Sequence, residues 1–264
     1  MATKKKYNTA LVLSGGGVRG FAHMGVIKAL NEKGIYPDVI SGTSAGAIAA
    51  TLYADGYTPE EVMGFFKEKE LKKYIEIIIP KTGLVKMTGM INLLKKYLRA
   101  KTFEELKLPV FIAACNMNTG KPEYFSKGEL LKPLIASASI PVLFEPVKIG
   151  NHIYVDGGVM DNFPIKPVEG KTERLIGVFV CPINFHEKLS NLKEIAIRSF
   201  HLAVNKNIVL KAPKCDILIS PQEVDNYGLL EVAKMDKLFE IGYKEALKVL
   251  ENPDPSFKTR LFEK

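Results

Sequence analysis

Two glycine-bearing turns, separated by one strand–helix–strand unit, constrain this chain more than any other feature. Thr9 to Ser14 is a short apolar run ending in Gly15, Gly16 and Gly17, and Phe21 to Lys33 then carries apolar residues at helical spacing. Gly34 stops that helix and Pro37 and Asp38 punctuate. Val39 to Ser41 then reads as a second strand running into Gly42-Thr43-Ser44-Ala45-Gly46 and an alanine-rich helix. Such a unit closes with a right-handed crossover and parallel strands. Both loops therefore emerge at the same carboxyl edge of one sheet, roughly 5 Å apart if the strands are neighbours.

The rest of the chain keeps this alternation. Thr58-Pro59-Glu60-Glu61 is a capping box with proline at the first helical position, and Met90, Ile91, Leu94, Tyr97 and Leu98 form a second helical stripe. Strands are expected at Val110 to Ala114, Ile153 to Val155, Leu175 to Val180 and Ile217 to Ile219, with a helix over Leu130 to Ala138 stopped by Ile140-Pro141. Alternating strands and helices predict an α/β sandwich, and 264 residues are read as one domain, 1–264, with a basic helical insertion at about 55–101. With 47% hydrophobic and 25% charged residues, disorder is excluded. No apolar run approaches the 18 or so residues needed to span a bilayer. Lys4, Lys5 and Lys6 imitate a secretory signal, but the apolar segment behind them breaks at Ser14. Cys115, Cys181 and Cys215 are odd in number and widely spaced, without a zinc or disulfide pattern, so a reducing cytoplasm is expected.

The formal charge of +8 is concentrated between Gly64 and Lys101, where ten basic residues face three acids. Aromatic interleaving for base stacking is thin and no nucleic-acid motif is present, so nucleic acid is not expected as a partner. Ile75, Ile77, Ile78, Ile79, Leu84, Val85 and Met87 lie amid these lysines, a pattern suited to an anionic bilayer surface. A helix lying over its own core explains the same pattern.

Three constellations carry chemistry. Gly42-Thr43-Ser44-Ala45-Gly46 is a G-x-S-x-G placed where a strand turns into a helix. That turn projects the Ser44 hydroxyl at a helix N-terminus, where developing negative charge is favoured. Gly42 and Gly46 relieve crowding around it. Gly15-Gly16-Gly17-Val18-Arg19-Gly20 can turn successive N–H groups inward as an anion nest, the requirement for an oxyanion hole. The same stretch reads as the dinucleotide fingerprint G-x-G-x-x-G. That fold places an acidic residue at the end of the second strand, where this chain has Ser41-Gly42-Thr43-Ser44, and Asp38 lies at the strand's beginning. No nicotinamide, flavin, metal or other cofactor is expected. Asp156-Gly157-Gly158, after a short strand, is by itself a common turn. Among the histidines, His23 is expected to pack internally. His152 lies roughly 13 Å from Asp156 along an extended strand. His186 and His201 have no motif around them.

Together these residues resemble the patatin-like phospholipases, especially bacterial members. The glycine loop with Arg19, the Ser44 elbow one βα unit later and Asp156-Gly157-Gly158 match that family's three motifs in order and spacing. The likeness extends through Thr102 to Leu106, Ala136-Ser137-Ala138-Ser139-Ile140-Pro141 and Asp161-Asn162-Phe163-Pro164, covering about Ala10 to Pro167, and more loosely to Gly242-Tyr243. The resemblance implies a three-layer α/β/α sandwich with a mainly parallel sheet, and a Ser-Asp dyad without histidine that cleaves acyl esters of lipids. Ser44 and Asp156 would be the catalytic pair, residues 15–20 the oxyanion hole, and Gly157 and Gly158 the acid loop.

An ordinary carboxylate, with a pKa near about 4, is a poor acceptor for a serine proton. A water-poor cleft must therefore raise the basicity of Asp156 while loop amides stabilise the oxyanion. Esters have better leaving groups than amides, so a weak base suffices and a protease is disfavoured. Arg19 has two readings, a positive charge near the phosphate or oxyanion and an ion pair at a helix start. The expected partner is a lipid, met in the cytoplasm or at the inner membrane face. The alternatives are a nucleotide-binding module using the glycine loop and a regulatory protein that kept the fold without turnover.

Overall fold

A computed structural model describes residues 5–67, 87–141, 143–183, 192–228 and 231–251. β1 (Tyr7–Leu13), α1 (Phe21–Glu32), β2 (Val39–Thr43), α2 (Ala45–Ala54) and α3 (Pro59–Lys67) follow in chain order. The capping box forms: the Thr58 N–H donates to Glu61 Oε2 at 2.8 Å and the Glu61 N–H to Thr58 Oγ1 at 3.2 Å, fixing the start of α3. A helix at Thr88–Tyr97 precedes β3 (Val110–Asn116) and β4 (Lys121–Phe125). A helix at Leu131–Ala138, β5 (Val147–Ile149) and β6 (His152–Asp156) come next. β7 (Thr172–Val178), a helix at Leu192–Asn205, β8 (Ile217–Ile219) and a long helix at Met235–Glu251 complete the longer described elements.

All eight strands among the described residues join one sheet, ordered β5-β6-β3-β2-β1-β7-β8 with β4 also paired to β3. β3, β2, β1, β7 and β8 run parallel, whereas β4, β5 and β6 form an antiparallel wing. The period-two alternation of β1 builds the layers. Leu11 and Leu13 enter a core shared with α1, α2, α3 and the helix Met235–Glu251, while Ala10 and Val12 enter a second core with Phe163, Ile165, Ile208 and Leu218. Helical layers thus cover both faces, an α/β/α sandwich with a mainly parallel sheet. The first layer is packed closely: a Cβ at Gly242 would strike the Ala22 backbone on α1.

The wing decides what meets at the carboxyl edge. Ile112 and Ala113 pair with both β2 and β4, which puts those strands on opposite edges of β3. β6 pairs Ala114 to Asn116, which β4 also flanks, so β6 occupies the β2 edge just beyond the point where β2 stops. Thr43 lies opposite Ala113 and Asp156 opposite Ala114. Two strands running in opposite directions therefore end head to head on adjacent rungs, one delivering Ser44 and the other Asp156.

No helix among the described residues is long and apolar enough to cross a membrane. Of the apolar residues singled out in the basic segment, Ile75, Ile77, Ile78, Ile79, Leu84 and Val85 lie outside the described residues.

Candidate active site

Ser44 sits between β2 and α2 with φ 52° and ψ −121°, and it is the one non-glycine residue with positive φ among the described residues. A side chain in this region costs about 1–3 kcal/mol, which the surroundings must hold in place. The Ser44 N–H donates to Ser137 Oγ at 2.8 Å, and that hydroxyl donates to the Ala113 carbonyl at 2.6 Å. The Thr43 hydroxyl donates to the Asp161 carbonyl at 2.8 Å. Gly46 lets the first turn of α2 lie against the Leu13 and Ser14 carbonyls, where any Cβ would collide. The elbow is thus clamped from three directions with its hydroxyl left at the α2 N-terminus.

Asp156 is buried, 4% exposed. Its N–H donates to the Ser139 carbonyl at 2.8 Å, and Oδ1 accepts the Gly158 N–H at 2.7 Å. Burial pushes the Asp156 pKa up from 3.8 to about 6, partly opposed by the Ser44 hydroxyl and the Gly158 N–H. Gly157 passes directly over the Ala113 carbonyl, which keeps the acid loop against β3. The pair foreseen from the motifs is therefore brought together on adjacent rungs of β3, and its carboxyl is more basic than an exposed one.

The glycine loop divides its six residues between two tasks. The Gly15 N–H is taken by the Asn162 carbonyl at 3.1 Å and the Arg19 N–H by the Gly16 carbonyl at 3.1 Å. The N–H groups of Gly16, Gly17 and Val18 make no hydrogen bond to any described residue. Gly17 has φ 55°. The six-residue nest expected from sequence therefore narrows to residues 16–18, with Gly15 and Gly20 serving close packing against Ser44 and Ala45. Arg19 takes the second of its two readings. Its guanidinium forms a buried ion pair with Asp225 at 2.9 Å, and its Nε donates to the Tyr227 carbonyl at 2.9 Å.

None of the three described histidines is hydrogen-bonded to Ser44 or Asp156. His23 is fully buried on α1 with Nε2 2.8 Å from the Ser14 carbonyl, and burial lowers its pKa to about 4, so the ring is neutral and braces the loop. His152 Nδ1 meets Asn116 Nδ2 at 3.1 Å on the antiparallel wing. His201 is buried and likewise lowered to about 4, chiefly by desolvation. His186 lies outside the described residues.

A cavity of about 160 Å³ opens at Ser44. Gly17 and Val18 line it from the glycine loop, and α1, α2 and α3 supply Phe21, Met24, Ile48, Ala49, Val62 and Phe66. Among its described lining residues Ser44 carries the only polar side chain and none is charged. Such a space accepts an apolar chain while presenting one hydroxyl beside free N–H groups.

A hydroxyl, a buried carboxyl, amides without a hydrogen-bond partner among the described residues and an apolar cavity thus meet at one edge of the sheet. A family model described as patatin-like phospholipase matches residues 11–168. The chain belongs to the patatin-like phospholipase family. Lysophospholipase NTE1 of the yeast Debaryomyces hansenii is 24% identical over 267 residues, covering 89% of this chain and 17% of that protein. An uncharacterized NTE family protein of Mycobacterium tuberculosis is 28% identical over 276 residues, covering 92% of this chain and 47% of that protein. The chain thus spans half or less of the length of these relatives. The crystal structure of VipD from Legionella pneumophila shares the fold with a TM-score of 0.55 at 14% identity, covering 93% of this chain and 67% of VipD.

Reading the motifs alone did not give Ser137, Asn162 or Asp225 a task. Ser137 and Asn162 stand in blocks that carry the family resemblance, a signal that could have marked them. Nothing local distinguishes Asp225, which meets Arg19 from 206 positions away.

Proposed function

We propose that this chain is a serine lipid acyl hydrolase that cleaves carboxylic esters of phospholipids or related lipids through Ser44 and Asp156, within one patatin-like domain spanning residues 1–264. The observation that carries this reading is the register that ends β2 and β6 on adjacent rungs of β3, bringing the buried Asp156 carboxylate, raised to about 6, up to Ser44. Asp156 accepts the hydroxyl proton as Ser44 attacks the ester carbonyl. The N–H groups of Gly16, Gly17 and Val18 hold the oxyanion, and the Ala45 N–H adds to them, since the first N–H groups of α2 have no helical partner. The protonated Asp156 then gives its proton to the leaving alcohol, and water releases the fatty acid from the acyl-enzyme. The apolar cavity receives the acyl chain. Names such as lysophospholipase among the relatives favour a lipid ester as substrate. The lysine-rich segment between Gly64 and Lys101 meets an anionic membrane face from the cytoplasm.

The test is labelling by a fluorophosphonate probe alongside hydrolysis of lysophosphatidylcholine. Wild type should label and turn over, Ser44→Ala should do neither, and Asp156→Asn should lose turnover. Equal labelling of all three proteins would remove the assignment.

A further inference from the structure

The cavity stops well before the core does, and where it stops bears on which acyl groups the site distinguishes. Along α2 its lining runs Ser44, Ala45, Ile48 and Ala49, and the next turn, Leu52, no longer takes part. Along α1 it runs Phe21 and Met24, and the following turn with Ile27 is outside it. On α3 it takes Phe66 and then Val62, with Pro59 excluded. The edge-to-face contact of Phe66 with Phe21, ring centroids 4.9 Å apart, puts Phe66 level with the first residue of α1, so Val62 lies one turn deeper. Met24, Ala49 and Val62, exposed by 2%, 5% and 2%, therefore close it on the side of α1, α2 and α3, while Met87, Met90, Ile140 and Phe144 line it from other elements. Ala45 to Ala49 advances about 6 Å along a helix axis. An apolar cavity of about 150 Å³ holds one benzene molecule, a useful measure for the 160 Å³ here.

We infer that this cavity measures acyl length, enclosing about the first six to eight carbons behind the ester and leaving the remainder of a longer chain outside. The inference rests on the Ser44 reading above and adds to it the substrate property the site discriminates. Because no charged side chain is among the described residues that line the cavity, discrimination falls on the acyl group rather than on the headgroup. Each methylene that enters is removed from water, and up to about fourfold in kcat/KM accompanies each one if its burial is realised in the transition state. Once Met24, Ala49 and Val62 are reached, an added carbon brings no further gain.

The experiment measures kcat/KM for p-nitrophenyl esters from acetate to hexadecanoate with the full chain. The expected profile climbs from acetate and breaks at about six to eight carbons. Ala49→Leu, which fills the closed end from α2, should move the break to shorter chains and lower the octanoate-to-butanoate ratio at least tenfold. Val62→Ala, which opens the opposite wall, should move it to longer chains. Fluorophosphonate labelling of each variant reports whether Ser44 is still presented. A profile that climbs unbroken to hexadecanoate, or a break that neither substitution moves in proteins that label normally, overturns the inference and leaves the hydrolase reading standing. Loss of labelling already in wild type would instead defeat the hydrolase reading.

Discussion

The buried carboxylate makes a prediction that couples stability to pH with a definite sign. Folding moves the Asp156 pKa from 3.8 to about 6 because burial disfavours the charged form. The native state therefore holds this proton more tightly than the unfolded chain does. Below the unfolded value both states are protonated and the residue is neutral toward stability. As pH rises from 3.8 toward 6 the unfolded chain ionises first, so stability is lost across this window and stays lower above it. At about 1.4 kcal/mol per pH unit the displacement amounts to about 3 kcal/mol. Asp156→Asn keeps the shape, and its amide oxygen can still accept the Gly158 N–H, but it carries no charge. The variant should exceed wild type by up to about 3 kcal/mol at pH 8, or about 6–12 °C in Tm for a chain of this size. The advantage should shrink as pH falls through 6 toward 4. Urea denaturation of both proteins from pH 4.5 to 8 measures it. Activity should move the other way, with wild-type kcat/KM falling about tenfold per unit below pH 6 as Asp156 takes up its proton and with Asp156→Asn inactive throughout. A variant no more stable than wild type at pH 8, or an advantage independent of pH, would refute the claim that burial sets this group's basicity.

Two further outcomes test how the elbow and the glycine loop are held. Ser44→Gly should be more stable than Ser44→Ala by about 1 kcal/mol in urea denaturation, because only glycine adopts the observed φ of 52° without strain. Asp225→Ala should cost about 3–5 kcal/mol by leaving the Arg19 guanidinium buried without its counter-charge, whereas Arg19→Met combined with Asp225→Leu should recover most of that loss.

The first βαβ unit was legible because its signals are local: apolar alternation, a helical stripe, and turns marked by glycine. The structure places β1, α1 and β2 within a residue or two of the ranges that periodicity suggests. The capping box of α3 was equally readable, since both partners lie within four residues. β4 and β5 escaped notice because Lys121–Phe125 is exposed or half-buried with no apolar run or clean alternation, and Val147–Ile149 alternates over only three residues. Arg19 could not be assigned from its neighbours, because what decides its role is a carboxylate brought from the Gln222–Asn226 turn. Asp156 was recognisable by motif and order alone. The reason it reaches Ser44 is a long-range register that no local pattern encodes.

That register also explains why the two residues stand or fall together. Ala113 pairs with Thr43, accepts the Ser137 hydroxyl that holds the Ser44 N–H, and lies under Gly157, while its neighbour Ala114 pairs with Asp156. A strained elbow and a carboxylate in an unfavourable environment are thus both fixed to one stretch of β3. Because side chains alternate along a strand, a one-residue slip of either β2 or β6 against β3 would turn its terminal group to the opposite face. The antiparallel wing, packed through its own small cluster around Tyr154, keeps hydroxyl and carboxyl in phase by ending β6 one rung beyond β2.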